Sequence, residues 1–559
     1  MTAGRLLILI MDYTDRPAPR HPEGINVYLV GGGIASLAAA VHLCHDAQIP
    51  ARQIHLIEAS PVPGGSMGGA GDWKRGYVIR AARKLNFTYH CLYDTLSRVP
   101  SLEDPSKTVL DDISATNKNK PGTVEPASAR LVDTTPNGPE IVDVHSIGLS
   151  KKDRLDLLAM LLDEEENLAS DEIQARFQPG FFETIFWDMW SSMYGFQQWH
   201  SAAEFRRYLH RFLHEFPHIS TLEGIEYTPM NDYQSVILPL EAYLKNLGVD
   251  FKYGTKVTSV SFRGGDELSV SALHLVENGH PSTLDIPATD LVFITLGSMT
   301  AGTLFGNNER PPPPIPAQDV LLQKLDPIWK FWSDLANPAL NAHAEAFGRP
   351  EVFCNRISKS SWLSFTTTLV DGDFVHFLRR WSRSQDGSCP LVTFRYCPWM
   401  LSITLPRQPY FMNQPDNVYV LWGYGLYPDQ EGMFVNKPMM QCSGQEILME
   451  LLQHLGFPLH PTLERSTTIP CLMPYIGSPF LSRSKGDRPQ VIPSGSQNLA
   501  LLGQFVEIER DVTFTMEYSV RGAQMAVYGL MGLDRKPPAL HRGDKSARVL
   551  GEALMAIMS

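Results

Sequence analysis

The sequence predicts an α/β protein: a Rossmann-like parallel sheet, a second domain inserted into it, and a helical C-terminal part. Three observations carry this prediction. Residues 27–58 run in the order strand, glycine turn, helix, strand, acid: Val27-Tyr28-Leu29-Val30, Gly31-Gly32-Gly33, the Ala-rich segment Ile34 to Leu43, then Ile54-His55-Leu56-Ile57 ending on Glu58. Two later runs, Asp290 to Ser298 and Asn498 to Phe505, each read as a buried strand closing on a glycine, the form in which a chain returns to the same sheet. Between these returns lie two long excursions, one helical and aromatic and one mixed.

Taken in order, residues 1–24 carry Pro and Arg without apolar periodicity and form an arm. The first strand then feeds a turn where Gly31 permits the tight bend. Gly33 lets backbone N–H groups approach a pyrophosphate, and the helix N-terminus adds the positive end of its dipole. Ser36 holds the third glycine position, where helix and strand come close. Glu58, 22 residues beyond Ser36, is placed to accept from ribose hydroxyls. A second cluster follows, Gly64-Gly65-Ser66 and Gly68-Gly69-Ala70-Gly71, which lets the chain pass near a diphosphate and a flavin ring. That favours FAD over NAD as the cofactor. Segments 25–145, 240–305 and 490–535 are assigned to a discontinuous FAD-binding domain, with Ser298 and Phe505 on its returning turns. Residues 146–239 form a helical cap, 306–489 a substrate domain reached through the stiff run Pro311 to Pro314, and 536–559 a C-terminal helical segment.

Bulk properties narrow the function. The chain has 559 residues, enough for two or three domains, and a net charge of −12 with no basic block, which argues against a nucleic-acid partner. Seven cysteines without a C-x-x-C pair indicate neither a disulfide framework nor zinc, and point to a reducing, cytoplasmic location. No run of about 18 apolar residues predicts a membrane span. The last segment, Ala547 to Met558, is apolar on one side; docking on its own domain is the favoured reading and peripheral membrane contact the alternative.

Chemistry is first suggested in a helix expected over Glu204 to Phe216. Phe205, Tyr208, Leu209, Phe212 and Phe216 share one stripe, with Arg206, Arg207, Arg211 and Glu215 elsewhere. Tyr208 therefore points inward, where a phenol either packs as core or donates a proton to a substrate. His210 and His214 stand four apart, but nothing nearby completes a metal site.

At several places the chain resembles the oleate hydratases, also called myosin-cross-reactive antigens: Gly76 to Arg83, Cys91 to Asp94, Pro100 to Glu103, Trp199 to Tyr208, Gly297 to Thr300, Arg407 to Pro409 and Phe514 to Arg521. The resemblance covers nearly the whole chain. It implies bound FAD without net redox chemistry, an unsaturated lipid-like substrate, and a homodimer. It also implies a tyrosine that protonates an isolated cis double bond, a glutamate that activates water, and polar residues that hold the fatty-acid carboxylate.

Carried over by position, Tyr208 matches the proton donor, and Arg80 and Arg83 the arginines of the flavin-proximal loop. Trp199, Thr404 and Tyr410 are the substrate-binding candidates; Thr404 matches a carboxylate-binding threonine, and Tyr410 replaces a histidine. Pro406 replaces an asparagine and Asp232 a glutamine. Ala81 and Ala82 stand where the family has glycines. Most consequential, the water-activating glutamate falls on Lys84. An ammonium, with a reference pKa of about 10.4, is no base at pH 7 and repels a developing carbocation. Lys84 and Asp232 thus join Tyr208 as catalytic candidates. The leading expectation is a FAD-binding hydratase acting on a C=C bond of an unsaturated fatty acid or related substrate. The alternative is a flavin-dependent isomerase or oxidoreductase of a polyunsaturated lipid or polyketide, with a non-catalytic flavin- or lipid-binding protein third.

Overall fold

A computed structural model describes residues 19–118, 130–144, 146–168, 170–265, 267–316, 325–382 and 391–558. Most of the expected arm, and the middle of a polar excursion at 114–140, lie outside them. The nucleotide sheet is five-stranded and wholly parallel. Its strands are β1 (Val27–Val30), β2 (Ile54–Glu58), β3 (Asp250–Tyr253), β4 (Leu291–Thr295) and β5 (Leu499–Leu502), in the order β5-β4-β1-β2-β3. Helix α1 (Ile34–His45) follows β1, and its residues from Ile34 to Leu43 are all buried. The small side chains of its alanine run let it lie close on the sheet while a long helix, Met516–Leu530, packs on its other side. The returning runs at 290–298 and 498–505 do join this sheet.

Two parts of the segments assigned to the FAD-binding domain lie in sheets other than the nucleotide sheet. Thr255–Phe262, Val270–Glu277 and His280–Asp285 form a separate antiparallel sheet, and of that region Asp250–Tyr253 alone joins the nucleotide sheet. Leu131–Thr135 and Gly138–Ile141, placed by the sequence within the 25–145 nucleotide segment, belong instead to an eight-stranded sheet of the second domain. The reason is a parallel pairing of Thr393 with Leu131 and the anchoring of Arg130, which donates to the Met189 carbonyl at 2.7 Å and the Ser192 hydroxyl at 3.1 Å. Neither partner is local in sequence.

The eight-stranded sheet centres on Trp362–Leu369, buried along its whole length, flanked by Tyr419–Gly425 and Ser466–Met473. A hairpin made of Gly69–Asp72 and Gly76–Ile79 lies against it. The amides of Tyr77 and Ile79 donate to the hydroxyls of Thr368 and Thr366, each at 2.9 Å. The loop Arg80–Lys84 therefore leaves this hairpin between the two sheets.

The aromatic part of the helical cap is built on α2 (Ile185–Tyr194) and α3 (Ala202–Arg211), with Thr184 and Ser201 as N-caps accepting from the amides of Trp187 and Glu204. Gly195 ends α2 at φ +79°, and a Cβ there would strike the Trp362 ring. Helix α3 stops at Arg211 rather than continuing to Phe216, because the next turn is 3₁₀ and contains Pro217. Nor is its charged side solvated: Arg207 and Arg211 are buried, as is Glu204. Glu204 pairs with Arg483 at 2.8 Å and Arg488 at 2.9 Å, and Arg207 with Glu507 at 2.8 Å. The C-terminal helix Ala547–Met558 docks on that 3₁₀ turn through Ala553 and Ile557, leaving Leu554 and Met555 exposed. Among the described residues no helix is long and apolar enough to cross a membrane.

Candidate active site

Two adjoining cavities define the site. The first, about 520 Å³, lies over the C-terminal ends of β1, β2 and β4. Gly31 takes φ +98°, and a Cβ on it would sit 3.2 Å from Thr295. Gly33 has nothing within 4 Å of where its Cβ would be, so that position faces open cavity. Gly64 and Gly65 also have positive φ, and a Cβ on Gly65 would come within 3.4 Å of the Gly33 Cα. The two glycine clusters thus approach backbone to backbone. Ser298 and Phe505 line the far wall. Glu58 accepts from the Gly32 amide at 2.5 Å and the Ser60 amide at 2.7 Å, so in this structure its carboxylate braces the glycine turn at the cavity edge. Ser36 does not line the cavity. It is fully buried behind it, its hydroxyl 3.3 Å from that of Thr295, as expected of a helix–strand packing position.

The sequence did not indicate the near wall, formed by Thr515, Met516 and Ser519 at the start of α4 (Met516–Leu530). Thr515 is the N-cap, so a second helix N-terminus faces the cavity opposite that of α1. The T-x-x-x-S spacing was visible, but what it faces was not. Open backbone at Gly33, two convergent helix N-termini and the volume fit a dinucleotide of FAD size.

Arg80 and Arg83 form the floor. Arg80 donates to the Gly65 carbonyl, and Arg83 donates to the Ser66 hydroxyl at 2.7 Å. Burial pushes the Arg83 guanidinium down to about 10, with Asp232 opposing, so it stays cationic at neutral pH. The same loop carries Lys84 into the second cavity, about 120 Å³, which shares Arg83, Thr515 and Met516 with the first.

Tyr208 points inward, as its stripe on α3 predicted, and lines this second cavity. Its ring meets Phe196 edge-on at 5.0 Å and Tyr194 at 5.3 Å. Its oxygen accepts from the Phe514 amide at 3.1 Å, leaving its own proton available. Burial raises the phenol well above its usual range, with the Phe514 amide opposing. Lys84 Nζ stands 4.6 Å from the centre of the Tyr227 ring, in a cation–π arrangement. Tyr194, which the sequence did not single out, lines it too; its hydroxyl is closed off from solvent and makes no hydrogen bond within the protein.

Other candidates lie elsewhere. Asp232 does not line either cavity. Its carboxylate accepts from the Arg83 amide at 2.9 Å, which holds the Arg80–Lys84 loop in place, and burial raises its pKa despite Arg83 and Lys84. Trp199 donates its indole N–H to the Lys359 carbonyl at 2.8 Å, outside both cavities. Thr404 is buried at the end of its strand, opposite Leu391, which does line the second cavity. The Tyr410 carbonyl accepts from Asn231, and Tyr410 lies away from both cavities. His210 is 3.0 Å from the Leu161 carbonyl and His214 3.4 Å from Asn86, so the two do not converge on a metal. A buried trio of Cys397, Glu450 and His454 lies in the second core, where Glu450 accepts from the amides of Met433, Phe434 and Val435.

Comparison with known proteins agrees with this architecture. The chain is 34% identical over 561 residues to an oleate hydratase of Streptococcus pyogenes serotype M49, covering 98% of this chain and 92% of that one. It is 30% identical over 551 residues to a linoleate hydratase of Lactiplantibacillus plantarum, covering 90% and 93%. Among solved structures, an oxidoreductase from Methanosarcina mazei superposes with a TM-score of 0.51 at 12% identity, over 89% of this chain and 99% of that one. Cyclohexylamine oxidase from Brevibacterium oxydans gives 0.50 at 11%, over 91% and 98%. These two speak to the fold alone. The model of the MCRA family matches residues 25–528, and on that match and the two full-length relatives the protein belongs to the MCRA family.

Proposed function

We propose that the protein is a FAD-binding hydratase that adds water across a C=C bond of an unsaturated fatty acid or related lipid-like substrate. The observation that carries this reading is the shared wall: Tyr208 lines an aromatic cavity that abuts the dinucleotide cradle through Arg83, Thr515 and Met516. FAD would be held by the backbone at Gly31, Gly33, Gly64 and Gly65, with Glu58, Ser66, Arg80, Arg83, Ser298 and Phe505 around it. When bound, the flavin supplies a planar ring whose charge state sets the electrostatics beside the cavity, and water addition needs no net electron transfer.

The chain's own residues do the following. The Phe514 amide occupies a lone pair of the Tyr208 oxygen, so the phenol proton is directed to the substrate carbon, and the amide stabilises the phenolate left behind. Burial keeps that proton in place until transfer. The packed rings of Tyr194, Phe196 and Phe212 exclude bulk water. Asp232, through the Arg83 amide, fixes the loop that presents Lys84.

A second reading, isomerisation or redox chemistry, is favoured by Lys84 itself. Two unit charges 4 Å apart interact by about 4 kcal/mol at an effective dielectric near 20. An ammonium at such a distance therefore weighs against a carbocation and for an anionic intermediate or reduced flavin. Product mass decides between them. Incubated with a panel of unsaturated acids, esters and polyenes in ¹⁸O-water and FAD, hydration adds one labelled water, isomerisation adds nothing, and oxidation removes hydrogens; unlabelled products across the whole panel would sink the hydratase reading.

A further inference from the structure

We propose that Cys397, Glu450 and His454 form a structural zinc site in the core of the second domain, apart from the reaction cavity. The Cys397 sulfur, a Glu450 carboxylate oxygen and a His454 ring nitrogen lie within 4.8 Å of one another, and none of the three residues is more than 4% exposed. None of them lines either cavity. The sequence shows no zinc spacing because only the fold brings them together. Cys397 sits in the turn between the strands Leu391–Phe394 and Leu401–Thr404, while Glu450 and His454 stand four apart at the end of the helix Gly444–His454.

The three donors are held as metal ligands are. An ionised carboxylate offers about four lone-pair positions. The amides of Phe434 and Val435 take those of Glu450 Oε2 at 2.9 and 2.7 Å, and the Met433 amide takes one on Oε1 at 2.6 Å. The remaining position belongs to Oε1, which is also the oxygen 3.2 Å from His454 Nε2. That nitrogen is fully enclosed, is not aligned to donate to Glu450, and has no hydrogen-bond partner among the described residues. His454 Nδ1 is 2.7 Å from the Thr134 hydroxyl. With Nδ1 donating to that oxygen, the Nε2 lone pair is left for a cation, and the hydroxyl fixes the ring as outer partners of metal-bound histidines do. The Cys397 sulfur accepts from the amides of Trp399 and Leu401, donors that favour a thiolate.

Charge and softness select the ion. Among the described residues the buried Glu450 carboxylate has no Lys or Arg partner, only His454. A carboxylate, a thiolate and a neutral imidazole carry two negative charges, which one Zn²⁺ cancels, leaving a neutral group in the core. Thiolate disfavours magnesium and calcium, and mixed sulfur, nitrogen and oxygen donors suit zinc. Zinc bonds of about 2.0–2.3 Å set tetrahedral ligands about 3.3–3.8 Å apart, so side-chain rotations of about 1 Å close the trio on the ion. Water fills the fourth position. On binding, the thiol proton leaves to solvent and no electrons are exchanged. The ion then ties the turn at Cys397 to the helix and to the loop at Met433–Val435, bracing the strand pair from which Leu391 reaches the reaction cavity.

The test incubates the FAD-loaded protein with zinc sulfate and passes it through zinc-free buffer. Elemental mass spectrometry should then find about one zinc per chain, and X-ray absorption one sulfur at about 2.3 Å with nitrogen and oxygen at about 2.0 Å. Zinc should raise the thermal midpoint by several degrees. Cys397→Ala should lose both the metal and that rise while keeping its flavin. No retained zinc, a shell with no sulfur or with two, or equal zinc content in Cys397→Ala overturns the proposal. Should the variant not fold, the wild-type spectrum still decides, because Cys397 is the only cysteine in such a group among the described residues.

Discussion

The Phe514 amide donates a 3.1 Å hydrogen bond to the Tyr208 oxygen, joining two residues 306 positions apart. One lies on the cap helix and the other on the loop just before the helix that ends the nucleotide domain. The bond couples the cap to the cofactor cradle at the atom that carries the acid. Tyr208→Phe removes the hydroxyl with little change in packing. Turnover should fall by about 10²–10⁴-fold, as for loss of a general acid. The Phe514 amide loses its partner, so the thermal midpoint should also drop slightly. Product formation and a melting curve on the same preparation check both, and unchanged turnover would remove Tyr208 from the mechanism.

The same burial has a pH consequence. A phenol whose pKa is raised well above its ordinary value stays protonated as pH rises, so the acid form persists through the alkaline range. The rate should show no decline attributable to Tyr208 up to about pH 9. A profile of kcat against pH, in wild type and in Lys84→Met to remove the lysine that lines the same cavity, tests this. A descending limb below about pH 9 in both would place the acid elsewhere.

Gly33 and Gly31 should fail in different ways. Gly33 has an ordinary negative φ and an open Cβ direction, so Gly33→Val should fold normally and lose flavin because the side chain fills the cradle. Gly31 has φ +98° and Thr295 at 3.2 Å, so Gly31→Ala should lower the melting point of the cofactor-free protein as well. Flavin absorbance after gel filtration, with apoprotein melting, separates the two; normal flavin retention in Gly33→Val would show the cradle to be misplaced.

Lys84→Glu should raise 10-hydroxystearate formation from oleate by roughly 10–100-fold over wild type, since it places an anion where a water can be activated. The wild type should hydrate oleate poorly. Ala81 and Ala82 precede this position, and the new carboxylate comes near Asp232, whose charge already interacts with Lys84. Robust oleate hydration by the wild type would show that Lys84 leaves the usual chemistry intact.

Glu204 tests the cap's hidden face. Its carboxylate is wholly buried between Arg483 and Arg488, so Glu204→Gln leaves two buried guanidiniums short of an anion and should cost about 3–5 kcal/mol. Denaturant unfolding monitored by Trp fluorescence measures it. A loss under about 1 kcal/mol would show that Glu507 alone suffices to compensate both.

What the sequence determined by itself is local. A strand of β-branched and apolar residues, a glycine that must take positive φ, an alanine-rich helix and an acid at fixed distance specify the nucleotide turn within some 30 residues, because each choice depends on near neighbours and backbone sterics. Tyr208's inward direction was legible for the same reason, helical periodicity being a short-range property. Tertiary structure decided the rest. Nothing near Leu131 in the chain says that it pairs beside Thr393, and nothing near Arg207 says that its charged face is buried against Glu507. Asp232 looks like a base from its position and acts as a support because the Arg83 amide meets it in space. Tyr194 and the carboxylate-free lining around Lys84 arise where segments about 85, 194, 210, 225, 391 and 515 converge. Convergence of distant segments sets which charges share a low-dielectric space, and the field in that space selects the chemistry.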